Sequence, residues 1–184
     1  MSIKRILHYG EESLREPSKE VHKVSKKITE LVRDLFDTMY ANNGVGLAAP
    51  QIGVNLRVFV VDASTKEEPL EPMVFINPKI IKKSGAVKSS EGCLSFPEAY
   101  TDVVRYKDIM VKATNEHGKP FVMEVKGGNL LARCIQHEND HLDGLLFIDH
   151  CLNRFETEEV LKKNNLPDIE LEKLIDETEL KEQL

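Results

Sequence analysis

The sequence predicts one α+β domain, in which mixed or antiparallel strands pack around a central helix and further helices stand at the N- and C-terminal ends. Three observations carry this prediction. An amphipathic helix precedes the strands, the strand candidates follow one another without a helix between them, and a second helix comes after them. A regular alternation of strands and helices would instead indicate a parallel sheet, and the chain has no such alternation.

The first helix is marked by apolar residues at helical spacing. They are Ile28, Leu31, Val32, Leu35, Phe36 and Met39. This spacing places them on one face, which predicts an amphipathic helix. Residues 42–44, Asn-Asn-Gly, tolerate the left-handed conformation and are expected to end the helix. A glycine-rich loop over residues 44–53 follows it.

Four later segments are predicted to be strands because they are apolar and β-branched or alternate in polarity. They are residues 56–61, 73–81, 103–113 and 121–125. Residues 65–72 are expected to form a polar loop. Pro78 cannot donate to a ladder, so it predicts an edge or a bulge within its strand. Residues 115–119 are typical of a hairpin connection.

The second helix is predicted over residues 130–143, between Gly127-Gly128-Asn129 and Gly144. Beyond residue 155 the chain is rich in Glu, Lys and Leu and predicts one or two charged helices, divided near residues 164–167. A solvated face is the default interpretation of such a segment. We therefore expect a catalytic domain over residues 1–155 and a helical extension of the same domain over residues 156–184.

Composition excludes several classes of function. The net charge of −6, with scattered Lys and Arg, argues against nucleic-acid specificity and against binding to anionic membranes. No run approaches the roughly 20 apolar residues of a membrane span. The N-terminal residues lack the apolar stretch of a secretory signal, so we expect a cytoplasmic protein. Three cysteines in such a chain argue against a disulfide framework.

Chemistry is concentrated on the second helix. One arc of its helical wheel is polar and contains Arg133, Gln136, Asn139, Asp140 and Asp143. His137, Glu138 and His141 lie in the middle of the other, apolar arc. Charged and polar groups on a face that should be buried need a reason, since unpaired buried charge is costly.

The pattern His-Glu-x-x-His supplies that reason. Histidines four residues apart share one helix face and can bind one metal ion. Glu138 lies beside them, where it can take a proton from water and pass it to a leaving group. The pattern therefore predicts a metal-dependent hydrolase. The remaining histidines, His8, His22, His117 and His150, show no partner pattern and are expected to be structural or exposed.

A third protein ligand is expected, and three cysteines compete for the role. Cys134 lies about 10.5 Å from His141 along the helix axis and its short side chain points away, so we expect a packed thiol at the rim of the site. Cys151 lies in an apolar stretch beyond Gly144. Cys93 is favoured, because Gly92 frees its backbone and Glu91 is close by.

Two rival hypotheses use other ligands. In a zinc-protease-like endopeptidase the third ligand would be a downstream glutamate, and Glu156, Glu158 and Glu159 are available. A closed structural zinc site would use Cys93, Cys151, His137 and His141, and would leave Glu138 without a role.

Three motifs stand together in this chain. They are residues 44–51 (Gly-Val-Gly-Leu-Ala-Ala-Pro-Gln), residues 91–95 (Glu-Gly-Cys-Leu-Ser) and residues 136–142 (Gln-His-Glu-Asn-Asp-His-Leu). In this order and spacing the chain closely resembles the peptide deformylases, from the N-terminus to about residue 150. All three motifs match without departure.

The resemblance implies a role for each matching residue. Cys93, His137 and His141 would bind the metal, and Glu138 would be the catalytic acid and base. Gln51 would donate its side-chain amide, and Leu94 its backbone N–H, to the developing oxyanion. Gly46 would hydrogen-bond the substrate main chain. The metal would be Fe²⁺, with Zn²⁺ or Ni²⁺ able to occupy the site.

The implied substrate is the N-formyl-methionyl end of a newly made polypeptide, from which formate is released. Val45, Leu130, Cys134 and the stem of Arg133 are candidates for an apolar methionine pocket, with core packing as the alternative for each. Glu91 is assigned to the same site, where it can pair with Arg105 or orient a metal ligand; a surface carboxylate is the alternative. A transient contact with the ribosome is a further expectation.

Overall fold

The computed structural model describes residues 2–66 and 69–184 and contains one antiparallel sheet of five strands. The strands are β1 (Gly46–Ala48), β2 (Val58–Val61), β3 (Met73–Cys93), β4 (Phe96–Thr114) and β5 (Pro120–Val125). Their order in the sheet is their order in the chain, so each strand pairs with its sequence neighbour. Glu67 and Glu68, in the predicted polar loop, lie outside the described residues.

Four α-helices accompany the sheet in the described part of the chain. They are α1 (Lys26–Ala41), α2 (Leu130–Leu142), α3 (Arg154–Lys163) and α4 (Thr178–Lys181). The α+β prediction is confirmed, and α1 and α2 lie where the apolar spacing placed them. Asn43, at φ 54°, follows α1, and Gly144, at φ 71°, follows α2. Both adopt the left-handed conformation that ends a helix. No described helix has the length and apolar character needed to cross a bilayer.

The strands β3 and β4 are longer than the sequence predicts. The expected ends at residues 81 and 103 are wrong, since the two strands pair almost to their connecting turn, with Glu91 opposite Thr101. Much of the added length is polar and exposed, so cross-strand pairing rather than burial stabilises it. The bulge predicted at Pro78 is confirmed by a register shift between Ile76 and Lys79. The short strand β1 lies within the predicted glycine-rich loop.

The two long helices cover opposite faces of the sheet. On one face α1 packs through Leu35 and Met39 against a cluster that includes Val60 of β2. On the other face α2 packs through Ile135 against a cluster that includes Phe59 and Phe75. Because neighbouring residues of a strand point to opposite faces, β2 contributes to both clusters. The helix α2 is thereby buried between the sheet and the loops at its end.

The C-terminal segment is docked against the rest of the chain rather than solvated all round. Ile169 and Leu180 are buried, and the N–H of Ile175 donates to the carbonyl of Asp149 at 2.9 Å. Tyr9 donates its hydroxyl to the carbonyl of Asp168 at 2.9 Å. The default expectation of a solvated face is therefore wrong for the inner side of this segment. The predicted division is confirmed, since α3 ends before Asn164.

Candidate metal centre and active site

Two elements bring the candidate metal-ligating residues together. The helix α2 begins cleanly because the side chain of Asn129 accepts a hydrogen bond from the N–H of Ala132 at 3.0 Å. It carries His137 and His141 on its inner face, where they are 8% and 1% exposed. Cys93 is the last residue of β3, next to a register shift after Gly92.

The side chains of Cys93, His137 and His141 form a cluster that fits one metal ion. One ligand atom from each lies within 4.8 Å of the others, and Cys93 Sγ is 3.3 Å from His141 Nε2. Tetrahedral bonds of about 2.0–2.3 Å imply ligand separations of about 3.3–3.6 Å. The residues present therefore match the ligand type and spacing of a Cys-His-His metal site. Among residues 2–66 and 69–184 it is the one such group found.

Neither rival ligand set is assembled. Cys151 packs in an apolar cluster and forms an isolated bridge with Val103. Glu158 pairs with Arg154 at 2.7 Å, and Glu159 is exposed on α3. Cys134 is a buried thiol that donates to the carbonyl of Val45 at 3.5 Å, as expected for a packed cysteine at the rim. Burial raises the pKa of Cys134.

Glu138 is buried at 4% exposure beside the cluster, and its Oε2 has no hydrogen-bond partner in the described part of the chain. Burial is the main reason that the pKa of its carboxyl is raised to about 7, although His137 opposes the shift. Its Oε1 lies 2.5 Å from the position that a Cβ on Gly46 would occupy. Gly46 is therefore required on steric grounds for the carboxylate to lie where it does.

Gln51 points its amide nitrogen at the cluster. It belongs to a 3₁₀ turn, Ala49–Ile52, that follows β1. Its Oε1 accepts from the N–H of Ala48 at 2.9 Å, which fixes the orientation of the amide. Its Nε2 then donates to Cys93 Sγ at 3.3 Å and to Ser95 Oγ at 3.1 Å. Gln51 is 2% exposed, so the solvated-loop interpretation of a lone glutamine does not apply.

An open cavity of about 300 Å³ lies over the cluster. Its lining includes every residue that the sequence analysis assigned to substrate binding: Val45, Gly46, Glu91, Leu130, Arg133 and Cys134. It also includes the predicted catalytic and metal-binding residues Gln51, Leu94, Glu138, Cys93 and His137. Tyr100 was not among the predicted site residues, yet it is 64% exposed at the same cavity and packs its ring on Gly92. No pattern signalled it, because Tyr100 lies before the predicted start of its strand.

Behind His137 stands a buried set of ion pairs. Glu91 accepts from His137 Nδ1 at 3.1 Å and from Arg105 Nε and Nη2 at 3.0 and 2.9 Å. Although burial disfavours its charge, Arg105 and His137 hold the pKa of Glu91 well below its usual range. The surface-carboxylate alternative is therefore wrong. Glu91 contacts both predicted partners, Arg105 and His137. Its carboxylate is therefore already hydrogen-bonded, although Glu91 also lines the cavity.

The polar arc of α2 is partly buried against β4. Gln136 is 4% exposed and binds both backbone groups of Tyr106, accepting from the N–H and donating to the carbonyl at 2.9 Å each. Asp140 accepts from Arg105 Nη1. Polar residues on this arc meet polar partners of β4 instead of water, a contact that helical periodicity cannot reveal.

These features together define a metal-dependent hydrolase with an α+β fold: a Cys-His-His cluster, an unpaired buried glutamate beside it and a fixed amide donor at the cavity. Comparisons with known proteins narrow the class. The sequence profile described as polypeptide deformylase matches residues 3–157. The chain belongs to the polypeptide deformylase family. It is an enzyme that removes the N-formyl group from nascent peptides with the help of a metal.

Individual relatives agree with this assignment. The peptide deformylase of Baumannia cicadellinicola subsp. Homalodisca coagulata is 46% identical over 163 residues, which cover 89% of this chain and 95% of that protein. The crystal structure of a peptide deformylase from Legionella pneumophila matches with a TM-score of 0.81 at 43% identity, covering 89% of this chain and 94% of the other. A peptide deformylase from Synechococcus elongatus, crystallised in complex with actinonin, matches with a TM-score of 0.82 at 39% identity, covering 92% of this chain and 88% of the other.

Proposed function

We propose that Cys93, His137 and His141 hold the metal ion with which this deformylase hydrolyses the formyl amide of a formyl-methionyl peptide. The observation that carries the assignment is the approach of their three ligand atoms to within 4.8 Å, next to the unpaired carboxylate of Glu138. A divalent ion bound there would polarise the formyl carbonyl and lower the pKa of water.

We assign Fe²⁺ as the ion, with Zn²⁺ or Ni²⁺ able to take its place. A thiolate and two imidazoles suit several divalent ions, so availability as well as the ligand set decides which one is bound. Glu91 supports the site from behind, because a carboxylate on His137 Nδ1 fixes the tautomer and leaves Nε2 free as a ligand.

Glu138 is proposed as the general base and then the general acid. It takes the proton of the attacking water at its carboxylate and delivers it to the amide nitrogen that leaves as the new amino group. Burial keeps its pKa near neutrality, at about 7, where one group can both accept and donate a proton. Its Oε2 has no hydrogen-bond partner among the described residues and is therefore available for this transfer.

The oxyanion that develops on the formyl group is proposed to accept hydrogen bonds from Gln51 Nε2 and from the backbone N–H of Leu94. Gln51 suits the role because the N–H of Ala48 fixes its amide before substrate arrives. Donors that are fixed in advance need no reorganisation during the reaction, and the loss of one typically slows catalysis by about 10²–10³-fold.

Substrate contacts are assigned to the cavity lining. Val45, Leu130, Cys134 and the stem of Arg133 would surround the methionine side chain, since their apolar atoms line the same cavity. Gly46 would hydrogen-bond the substrate main chain, because without a Cβ its backbone can be approached closely. Glu91 would contribute to binding through its backbone or through the ion pairs that hold His137.

We further propose that residues 156–184 extend the domain formed by residues 1–155 and do not form a separate unit. The contacts of Ile169, Ile175 and Leu180 with the rest of the chain support this division. Action on nascent chains suits a cytoplasmic enzyme that makes a transient contact with the ribosome, and both remain predictions.

The central test measures formate release from a formyl-Met peptide by protein prepared without oxygen and loaded with Fe²⁺, Ni²⁺ or Zn²⁺. We expect activity with at least one ion, and inactivity with all three would contradict the proposal. Cys93→Ala should lose the metal, as measured by metal content after dialysis. Glu159→Ala, which removes the glutamate of the protease alternative, should keep it. The opposite pair of results would favour that alternative.

A further inference from the structure

A row of buried charged side chains connects the C-terminal segment to His137. Beginning at the tail, Glu177 Oε1 accepts from His150 Nδ1 at 2.7 Å. The other ring nitrogen of His150, Nε2, lies 3.0 Å from Asp140 Oδ2. The same Asp140 oxygen accepts from Arg105, whose guanidinium holds both oxygens of Glu91. Glu91 in turn accepts from His137 Nδ1 at 3.1 Å.

The groups of this row alternate in charge and are screened little by water. Side-chain exposure is 9% for Glu177, 10% for His150, 15% for Asp140, 2% for Arg105 and 9% for Glu91. Burial lowers the pKa of His150, but Asp140 and Glu177 outweigh it and raise the pKa to about 9. Each carboxylate therefore has a cation beside it, and in a poorly solvated row the position of each member depends on the next.

Glu177 is held in place by the docking of its own segment. On its N-terminal side the N–H of Ile175 donates to the carbonyl of Asp149 at 2.9 Å. On its C-terminal side Leu180 is 4% exposed, and Lys181 Nζ donates to the carbonyl of Cys151 at 3.2 Å. The tail thus presents Glu177 to His150 from a fixed backbone, and His150 itself belongs to the 3₁₀ turn Phe147–His150 that follows α2.

We propose that Glu177 is a positioning residue that holds the imidazole of His137 in its ligating orientation. Glu177 acts on His137 through the intervening members of the row, His150, Asp140, Arg105 and Glu91. The inference rests on the proposed metal site and assigns to the C-terminal segment a part in it. Carboxylates that orient ligating histidines commonly change metal affinity by about 10–100-fold when removed. Glu177 stands farther from the metal, so a smaller effect is expected.

The test replaces Glu177 by Gln in the full chain and measures the metal itself. The Co²⁺-loaded protein is mixed with excess chelator, and the rate of metal release is followed through its thiolate-to-cobalt absorption band. We expect Glu177→Gln to release Co²⁺ about three to ten times faster than the wild type, which is below the change of about 10–100-fold for a carboxylate that contacts the ligating histidine directly. With the Fe²⁺ enzyme we expect a lower kcat and an unchanged KM.

Two control variants separate positioning from general loosening of the fold. Glu179→Gln removes the same charge from an exposed site two residues away and should release Co²⁺ at the wild-type rate. Ile169→Ala removes buried packing of the tail outside the row, so it should lower Tm without faster release. The proposal would be overturned if Ile169→Ala, with the same loss of Tm as Glu177→Gln, released Co²⁺ as fast as Glu177→Gln. It would also be overturned if Glu177→Gln released Co²⁺ at the wild-type rate.

A second variant tests the route. If Glu177 acts through His150, then His150→Gln should also speed the release of Co²⁺, and the double variant should be no faster than the faster single variant. Additive effects would overturn the route through His150. Failure of the wild type to bind Co²⁺ would contradict the metal site itself, which distinguishes that failure from failure of this inference.

Discussion

The two sides of helix α2 carry polar groups in opposite states. On the cavity side, Glu138 Oε2 is buried and has no hydrogen-bond partner among the described residues. On the side facing β4, both ends of the Gln136 amide are bonded, and Asp140 is paired with Arg105 and His150. The same helix therefore presents an unbonded carboxylate oxygen on one side, and a bonded amide and a paired carboxylate on the other.

The difference separates the groups proposed to act in catalysis from the groups that hold the helix in place. A buried polar group without a partner raises the free energy of the folded protein, by about 1–3 kcal/mol for a neutral group. On the cavity side, the carboxylate oxygen of Glu138 without a partner among the described residues lies where metal and substrate are proposed to bind. On the β4 side the bonded groups fix the helix, and through it the ligands. We therefore expect substitutions on the cavity side to change activity more than stability, and substitutions of bonded groups that lie outside the row leading to His137, such as Gln136, to do the reverse.

The largest expected effect is on the cavity side, at Glu138. Glu138→Gln keeps the shape of the side chain but removes the group that moves the proton, so the rate of deformylation should fall by about 10²–10⁴-fold. Metal content and Tm should stay at or above the wild-type values, since no buried charge is created. Formate release, metal analysis and thermal unfolding measure the three quantities. A large loss of Tm would break the proposed separation of the two sides.

The next effect is on stability and comes from Arg105. Arg105→Ala leaves the buried carboxylates of Glu91 and Asp140 without their cation, which should cost about 3–5 kcal/mol of unfolding free energy. Urea unfolding measures the change. The matched control is Arg154→Ala, which removes the more exposed pair with Glu158 and should change stability by less than about 1 kcal/mol. Equal losses of unfolding free energy for the two variants would contradict the claim that Arg105 stabilises the fold by pairing with buried carboxylates.

Gln136 allows the comparison to be sharpened without changing any charge. Gln136→Leu has a similar volume but leaves the N–H and carbonyl of Tyr106 without these partners, so it should lower the unfolding free energy by about 1–3 kcal/mol. Deformylation by the remaining folded protein should change less than twofold to threefold, on the order of 0.5 kcal/mol. Gln183→Leu, at an exposed position, is the control for stability.

The smallest effect concerns pH. The pKa of His150 is raised to about 9 in the folded protein, against about 6.5 when unfolded. Its contribution to stability is therefore complete below about pH 6.5 and is lost as the pH rises through about 9. The difference in unfolding free energy between the wild type and His150→Gln should shrink over that interval. A difference that grows with pH would have the wrong sign.

The sequence predicted the fold and the metal cluster from strong local patterns. Helical spacing located α1 and α2, and residues 115–119 indicated the hairpin between β4 and β5. His137 and His141 were found because ligand spacing on a helix is itself periodic. Cys93 lies far away in the chain, and its place at the cluster follows only from the register of β3 and β4.

The supporting contacts were harder to predict, for a physical reason. Gln136 and Asp140 lie on a polar arc, and a helical wheel cannot distinguish water from a buried polar partner. The contact between His150 and Glu177 depends on how the tail folds back, and no local pattern in residues 156–184 specifies it. The polar ends of β3 and β4 were missed because pairing rather than burial stabilises them, so the hydrophobic pattern is weak there.

Gly46 sets a limit on how this cavity can change during evolution. A Cβ at this position would lie 2.5 Å from Glu138 Oε1 and 2.6 Å from Cys134 Sγ, so every other amino acid would displace the proposed base or the thiol behind it. This part of the wall is backbone, and natural selection cannot adjust it one side chain at a time. Variation that alters which peptides or inhibitors bind must therefore arise at exposed lining positions such as Val45 and Tyr100. A ligand that relies on contacts with Gly46 leaves the enzyme few mutational routes to resistance.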